Sequence, residues 1–229
     1  MAADNEGPKG THLLQIGLSD GKRNKDSHIR VKTFMRHKDS TLCAIGHLGL
    51  LFLFKFQVLN HPFPSVASNE DFYEDLVIDI QLASQTAALT KAYEKLNISV
   101  TKKTHIGRDT TAARTQEMGV PRADIASYGE WGQGSIDGSY LTATFIQTAG
   151  RVAAGFTTER SSVHWPRDAV LPPTSLQKMV FPFLEKSIVD YNERREIDLA
   201  TEHFLGLMLE YRVIILQDAA VNIVRVSFV

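Results

Sequence analysis

Apolar positions near the start of the chain follow a period of two. His12 to Leu18 (HLLQIGL) has the composition of a strand, and Ile29 to Phe34 (IRVKTF) alternates polar and apolar residues as a half-buried strand does. Ser19-Asp20-Gly21 between them supplies turn chemistry, so the pair predicts a β-hairpin. Thr41 to Phe56 is apolar almost throughout and predicts a helix, with Ser40 or Thr41 as its cap. His61 to Ser65 (HPFPS) predicts a loop, because two prolines one residue apart preclude regular structure. Acidic residues around Phe72 predict a short helix with a solvated face, and Ser84 to Leu96 predicts another that ends near Asn97.

Further along, Asp109 to Met118 reads as a helix stopped by Gly119, and Pro121 opens the next, which runs to about Tyr128. Gly129, Gly132, Gly134 and Gly138 make the following stretch closely approached or mobile backbone. Leu141 to Ala154 is expected to be helical, and Thr157 to Thr174 is expected to be a proline-containing loop. Ser175 to Tyr191 is an amphipathic helix interrupted at Pro182. In Ile197 to Ala220, Phe204, Leu207, Met208, Tyr211, Ile214 and Ile215 recur three and four apart, which predicts a long helix. That helix is either packed in the core or a tail contacting another protomer; the final VNIVRVSFV is β-prone. The pattern divides the chain into a disordered leader (1–10), one domain (11–195) and a helical extension (196–229).

With 229 residues and 43% hydrophobic residues the chain can fill the core of one such domain, mainly α with a small β component. The longest apolar run, Leu48 to Phe54, ends at Lys55 and is too short to span a bilayer, and the N-terminus lacks the apolar segment of a signal peptide. One cysteine, Cys43, excludes an internal disulfide and reads as a buried, inert thiol in a reducing compartment. His47 reads as a core or surface histidine rather than a ligand, and no metal-ligand cluster or glycine-rich phosphate loop is present. The net charge of −1 argues against a strong global field for nucleic acid. Its distribution is uneven: residues 1–60 carry nine Lys/Arg against five Asp/Glu, and residues 179–229 carry five against eight.

The chemistry concentrates between His105 and Tyr140. His105 and Arg108 form an H-x-x-R pair that a helix would place on one face. Trp131 follows Arg108 by 23 residues, and Tyr140 follows Trp131 by nine. A guanidinium fork, two ring N–H donors and a phenol can share a phosphate diester, with the phenol as nucleophile. An isolated Trp that merely packs a loop fits the same residues. Basic side chains elsewhere suit a DNA backbone: Lys22, Arg23 and Lys25 at the hairpin turn, Arg36, His37 and Lys38 after it, and Lys102 and Lys103 before His105.

This series resembles the C-terminal catalytic motif of tyrosine recombinases, in which the Trp position is more often His. The words Met35 to Phe56 (MRHKDSTLCAIGHLGLLFLFKF), THIGR, YGEWGQGSIDGSYLT and Ala153 to Phe156 (AAGF) resemble the fungal centromere DNA-binding subunit of the kinetochore core complex, and through it Crypton-type recombinases. The resemblance runs from about His12 to about Pro182. It implies a recombinase-like catalytic-domain fold, with Tyr140 as nucleophile, Arg108, His105 and Trp131 around the phosphate, and Lys22, or Lys25 in its place, as general acid. It also implies a first arginine on a helix before the hairpin. Arg23, Arg30 and Arg36 fall in or after the hairpin, so the chain reads as an N-terminally truncated version of that fold. The expectation is a nuclear, dimeric or complex-bound module for double-stranded DNA, without cofactor and without catalysis. An active recombinase and a non-DNA interaction module are the alternatives.

Overall fold

The computed structural model describes residues 2–4, 11–18, 30–75, 82–99, 106–129, 147–194 and 197–227. Three antiparallel strands, β1 (Ala2–Asp4), β2 (Thr11–Leu18) and β3 (Arg30–Met35), lie in the order β1-β2-β3. The predicted hairpin is therefore present, with Leu13 opposite Met35 and Leu18 opposite Arg30. The first ten residues are not wholly a leader, because Ala2–Asp4 pairs with β2. The hairpin turn and its basic residues Lys22, Arg23 and Lys25 lie outside the described residues.

Among the described residues everything else is helical or irregular, and the protein is mainly α. The helices are α1 (Ala44–Leu53), α2 (Asn69–Asp75), α3 (Leu82–Lys95), α4 (Ile106–Glu117), α5 (Arg122–Gly129), α6 (Gln147–Ala153), α7 (Thr174–Met179), α8 (Leu184–Asn192) and α9 (Leu199–Ser227). Gly119 (φ +78°) ends the α4 stretch as expected, with its N–H donating to Gln116 O and that of Val120 donating to Thr115 O. The start of α1 differs from expectation. Asp39 caps a 3₁₀ turn, Ser40–Leu42, through Thr41 N–H, and α1 then begins after Cys43, whose Sγ accepts from Gly46 N–H at 3.4 Å. A π-helical turn, Phe54–Val58, continues α1, closed by Leu59 N–H donating to Phe54 O at 2.9 Å.

The largest core forms where α1 lies on α9. Phe52, Phe56, Phe204, Met208 and Tyr211 are buried there, with the Phe52 ring 5.8 Å from both Phe204 and Tyr211. Close approach requires the glycines of α1: a Cβ at Gly49 would come within 2.8 Å of Tyr211 Cδ1, and one at Gly46 within 2.3 Å of Asp218 Oδ2. The helix α9 is thus part of the core rather than an extension appended at residue 196. It also continues through the β-prone end as far as Ser227. Ser40 Oγ donates to Asn222 Oδ1 at 2.8 Å, tying that last part of α9 to the turn before α1.

Two smaller clusters complete the interior. Leu13 and Met35 pack with Ala154, Phe156, Val163 and Trp165 on one face of the sheet, while Leu14 turns the other way into the α1–α9 core. Val120, Ile125, Ala149 and Val152 join α4, α5 and α6. Among the described residues no helix is long and apolar enough to cross a membrane.

Candidate nucleic-acid interface

The segment Arg36-His37-Lys38-Asp39 leaves the end of β3 in neither helix nor strand, and its side chains diverge. Arg36 turns inward. It is buried, with Nη1 donating to Gln217 Oε1 (2.6 Å) and to Asp168, and Nη2 donating to Asp218 Oδ1 (2.6 Å). A guanidinium enclosed by two carboxylates is unavailable to a DNA phosphate, so the expected backbone-contacting role of Arg36 is replaced by a structural one. Arg167 braces the same segment from the 160s loop. Its Nη1 donates to Lys38 O at 2.6 Å, its Nη2 to His37 O, and its Nε lies 2.8 Å from Asp218 Oδ1. Trp165 Nε1 donates to Arg36 O at 3.0 Å, and its ring meets Phe156 edge-on at 5.1 Å.

His37 and Lys38 turn outward and form a ledge. Lys38 N–H donates to Ala154 O at 2.7 Å, which fixes the ledge to the end of α6. Gly155 (φ +87°) takes the left-handed position after that helix, and a Cβ there would come within 2.9 Å of His37 Cε1 and Nε2. Glycine is needed twice over, for the backbone and for the imidazole beside it. The words MRHK and AAGF, more than a hundred residues apart in sequence, are therefore one piece of structure.

Burial holds the His37 imidazole below its ordinary value of 6.5. The Asp39 backbone and carboxylate pull it up, while the positive charges of Arg114 and Arg167 push it further down. The Nδ1 atom faces the Asp39 backbone, 2.9 Å from its N–H nitrogen and 3.0 Å from its carbonyl oxygen, so it accepts from the one or donates to the other according to tautomer. α4 packs on α6, the helix to whose end the ledge is fixed, and the Arg114 charge reaches His37. Lys38 and Arg114 are both exposed, which puts two solvent-facing cations within electrostatic reach of the His37 ring. Such cations can hold an anionic backbone electrostatically. Among the described residues no three His, Cys, Asp or Glu are grouped to hold a metal ion.

Residues 3–225 match the family described as centromere DNA-binding protein complex CBF3 subunit, domain 2. The chain belongs to this family. No curated protein and no solved structure matches the chain.

Within this CBF3-subunit domain, Arg108 stands in the first turn of α4, the helix that also carries Arg114. His105, Trp131 and Tyr140, together with Lys102 and Lys103, lie outside the described residues. Arg114, Trp165, Arg167, Asp168, Gln217 and Asp218 went unmarked in the sequence. Arg114 looks like any solvated helix charge, and the others become a unit only when the 160s loop and α9 meet the end of β3.

Proposed function

We propose that this domain holds double-stranded DNA by its backbone, as part of a nuclear protein complex, on a recombinase-like frame that does not cut the strand. The observation that carries the reading is the family match over residues 3–225, a family described as a DNA-binding complex subunit. The ledge supports it, because Lys38 and Arg114 present positive charge on an otherwise nearly neutral chain. With a net charge of −1, attraction to DNA must come from such a local rim rather than from the field of the whole molecule. Lys22, Arg23, Lys25, Lys102, Lys103, His105 and Arg108 extend the proposed contact surface, and two copies or a partner subunit would align it on the duplex.

The residue series around Tyr140 bears on catalysis. Trp131 stands where recombinases more often carry histidine, and an indole donates a hydrogen bond but cannot exchange a proton. Both a phosphate-holding and a strand-cleaving role use that donor, with Lys22 as the proton source in the second, and the reading proposed here is the first. A nicked suicide DNA duplex tests it. The expected result is a reversible, salt-sensitive complex and no covalent product. A protein–DNA adduct that forms with the natural chain and disappears in Tyr140→Phe would establish a recombinase instead.

A further inference from the structure

The helix α1 and its π-helical turn are apolar on all sides (AIGHLGLLFLFKFQV), a composition normally found in helices buried all round. Here one side only is covered. Ile45, Phe52 and Phe56 enter the core against α9, whereas Leu50, Leu51, Phe54, Val58 and the following Leu59 lie on the outside. Met179 of α7 extends this surface, held alongside by Gln57 Nε2, which donates to Met179 O at 3.4 Å. These six residues keep between 36% and 70% of their surface accessible. Together they make an apolar stripe on the order of several hundred Å², at the upper end of what a monomer leaves open to water.

The charges along the stripe decide its occupant. No Asp or Glu occurs between Asp39 and Glu70, nor in α7, so the polar residues carried by these elements are basic or neutral: His47, Lys55, His61 and Lys178 among them. Two copies meeting through this surface would set basic rim against basic rim, which opposes self-association. We infer that the stripe is a docking site for an amphipathic helix of another protein, with leucine-like anchors spaced three and four apart and acidic residues along both edges. Phe54 and Val58, four residues apart, both face outward along the end of the helix.

Fluorescence anisotropy with two labelled helical peptides of roughly 18 residues, long enough to sustain a helix on a surface, tests the inference. Both carry leucines at the docking positions, one flanked by glutamate and the other by lysine. The glutamate-flanked peptide is expected to bind at least about tenfold more tightly at low salt, with the preference shrinking as salt screens the rim. Phe54→Glu and Leu50→Glu, whose side chains face water and whose folding circular dichroism verifies, are each expected to abolish binding while leaving DNA affinity unchanged. Equal binding of the two peptides, or binding of neither, would refute the site. Sedimentation showing a dimer that either substitution makes monomeric would assign the stripe to a second copy and overturn the choice of an acidic helix.

Discussion

Tyr211 sits at the centre of the α1–α9 core, fully buried, and among the described residues its hydroxyl has no hydrogen-bond partner. Burial and the nearby Cys43 thiol push the phenol well above its ordinary range, so it stays protonated at any physiological pH. An unpaired buried hydroxyl opposes folding, because the group has lost water and gained nothing in return. Tyr211→Phe is therefore expected to leave stability unchanged or raise it by about 1 kcal/mol in urea titration. A loss of that size would instead show that the hydroxyl is paired. The residue scale is also where the sequence was hardest to read. Arg36, His37 and Lys38 are consecutive and look equally suited to DNA, yet Arg36 is buried and Lys38 is not. Outside helix or strand no periodicity says which way a side chain points, and the carboxylates that capture Arg36 lie 132 and 182 residues away.

Between α7 and α8 the chain breaks at Pro182, as its sequence predicts. The break also needs Phe181 in the left-handed region at φ +63°, an uncommon state for a bulky side chain. Two things hold it: the ring is wholly buried, and Arg212 of α9 donates to Val180 O at 2.6 Å and to Phe181 O. The same guanidinium forms a two-pronged pair with Glu185 at 2.7 Å. Arg212→Leu is expected to cost about 2–3 kcal/mol, the range of charge-assisted hydrogen bonds, as read from the shift in the unfolding midpoint. Glu185 supplies the pH signature. The bond from Arg212 holds its carboxyl below the ordinary value of 4.5, so the stabilisation is complete above that pH and disappears as pH falls through the folded-state value. Arg212→Leu should flatten that acid limb, and an unaltered limb would place the effect elsewhere. Elements with a clear period were legible: the hairpin, the helix stopped at Gly119 and the interruption at Pro182. The last turns of α9 were not, because VNIVRVS favours strand locally yet here continues the helix that begins at Leu199.

At the scale of the whole molecule, the mainly helical class followed from hydrophobic periodicity, but the place of α9 did not. Its pattern of three and four fits a core helix and a docking tail equally well, and only Gly46 and Gly49 opposite it show how closely it is packed. The candidate site was legible in its words and not in its geometry. MRHK and AAGF could be singled out as sequence, whereas their union at Gly155 depends on the fold closing a loop of more than a hundred residues. The Arg36–Asp168–Asp218–Arg167 group, buried except for Asp168, is what aims the ledge outward, since it ties the β3 end, the 160s loop and α9 to one point. Central to this account is that the ledge formed by Lys38 and Arg114 contacts DNA phosphates. Duplex affinity measured across a salt series, for the natural chain and for Lys38→Ala and Arg114→Ala, tests it most directly. The account predicts that affinity falls as salt rises and that each substitution lowers the slope of log K against log salt by about 0.9, one phosphate contact apiece. Slopes unchanged in both variants, or affinity indifferent to salt, would contradict it.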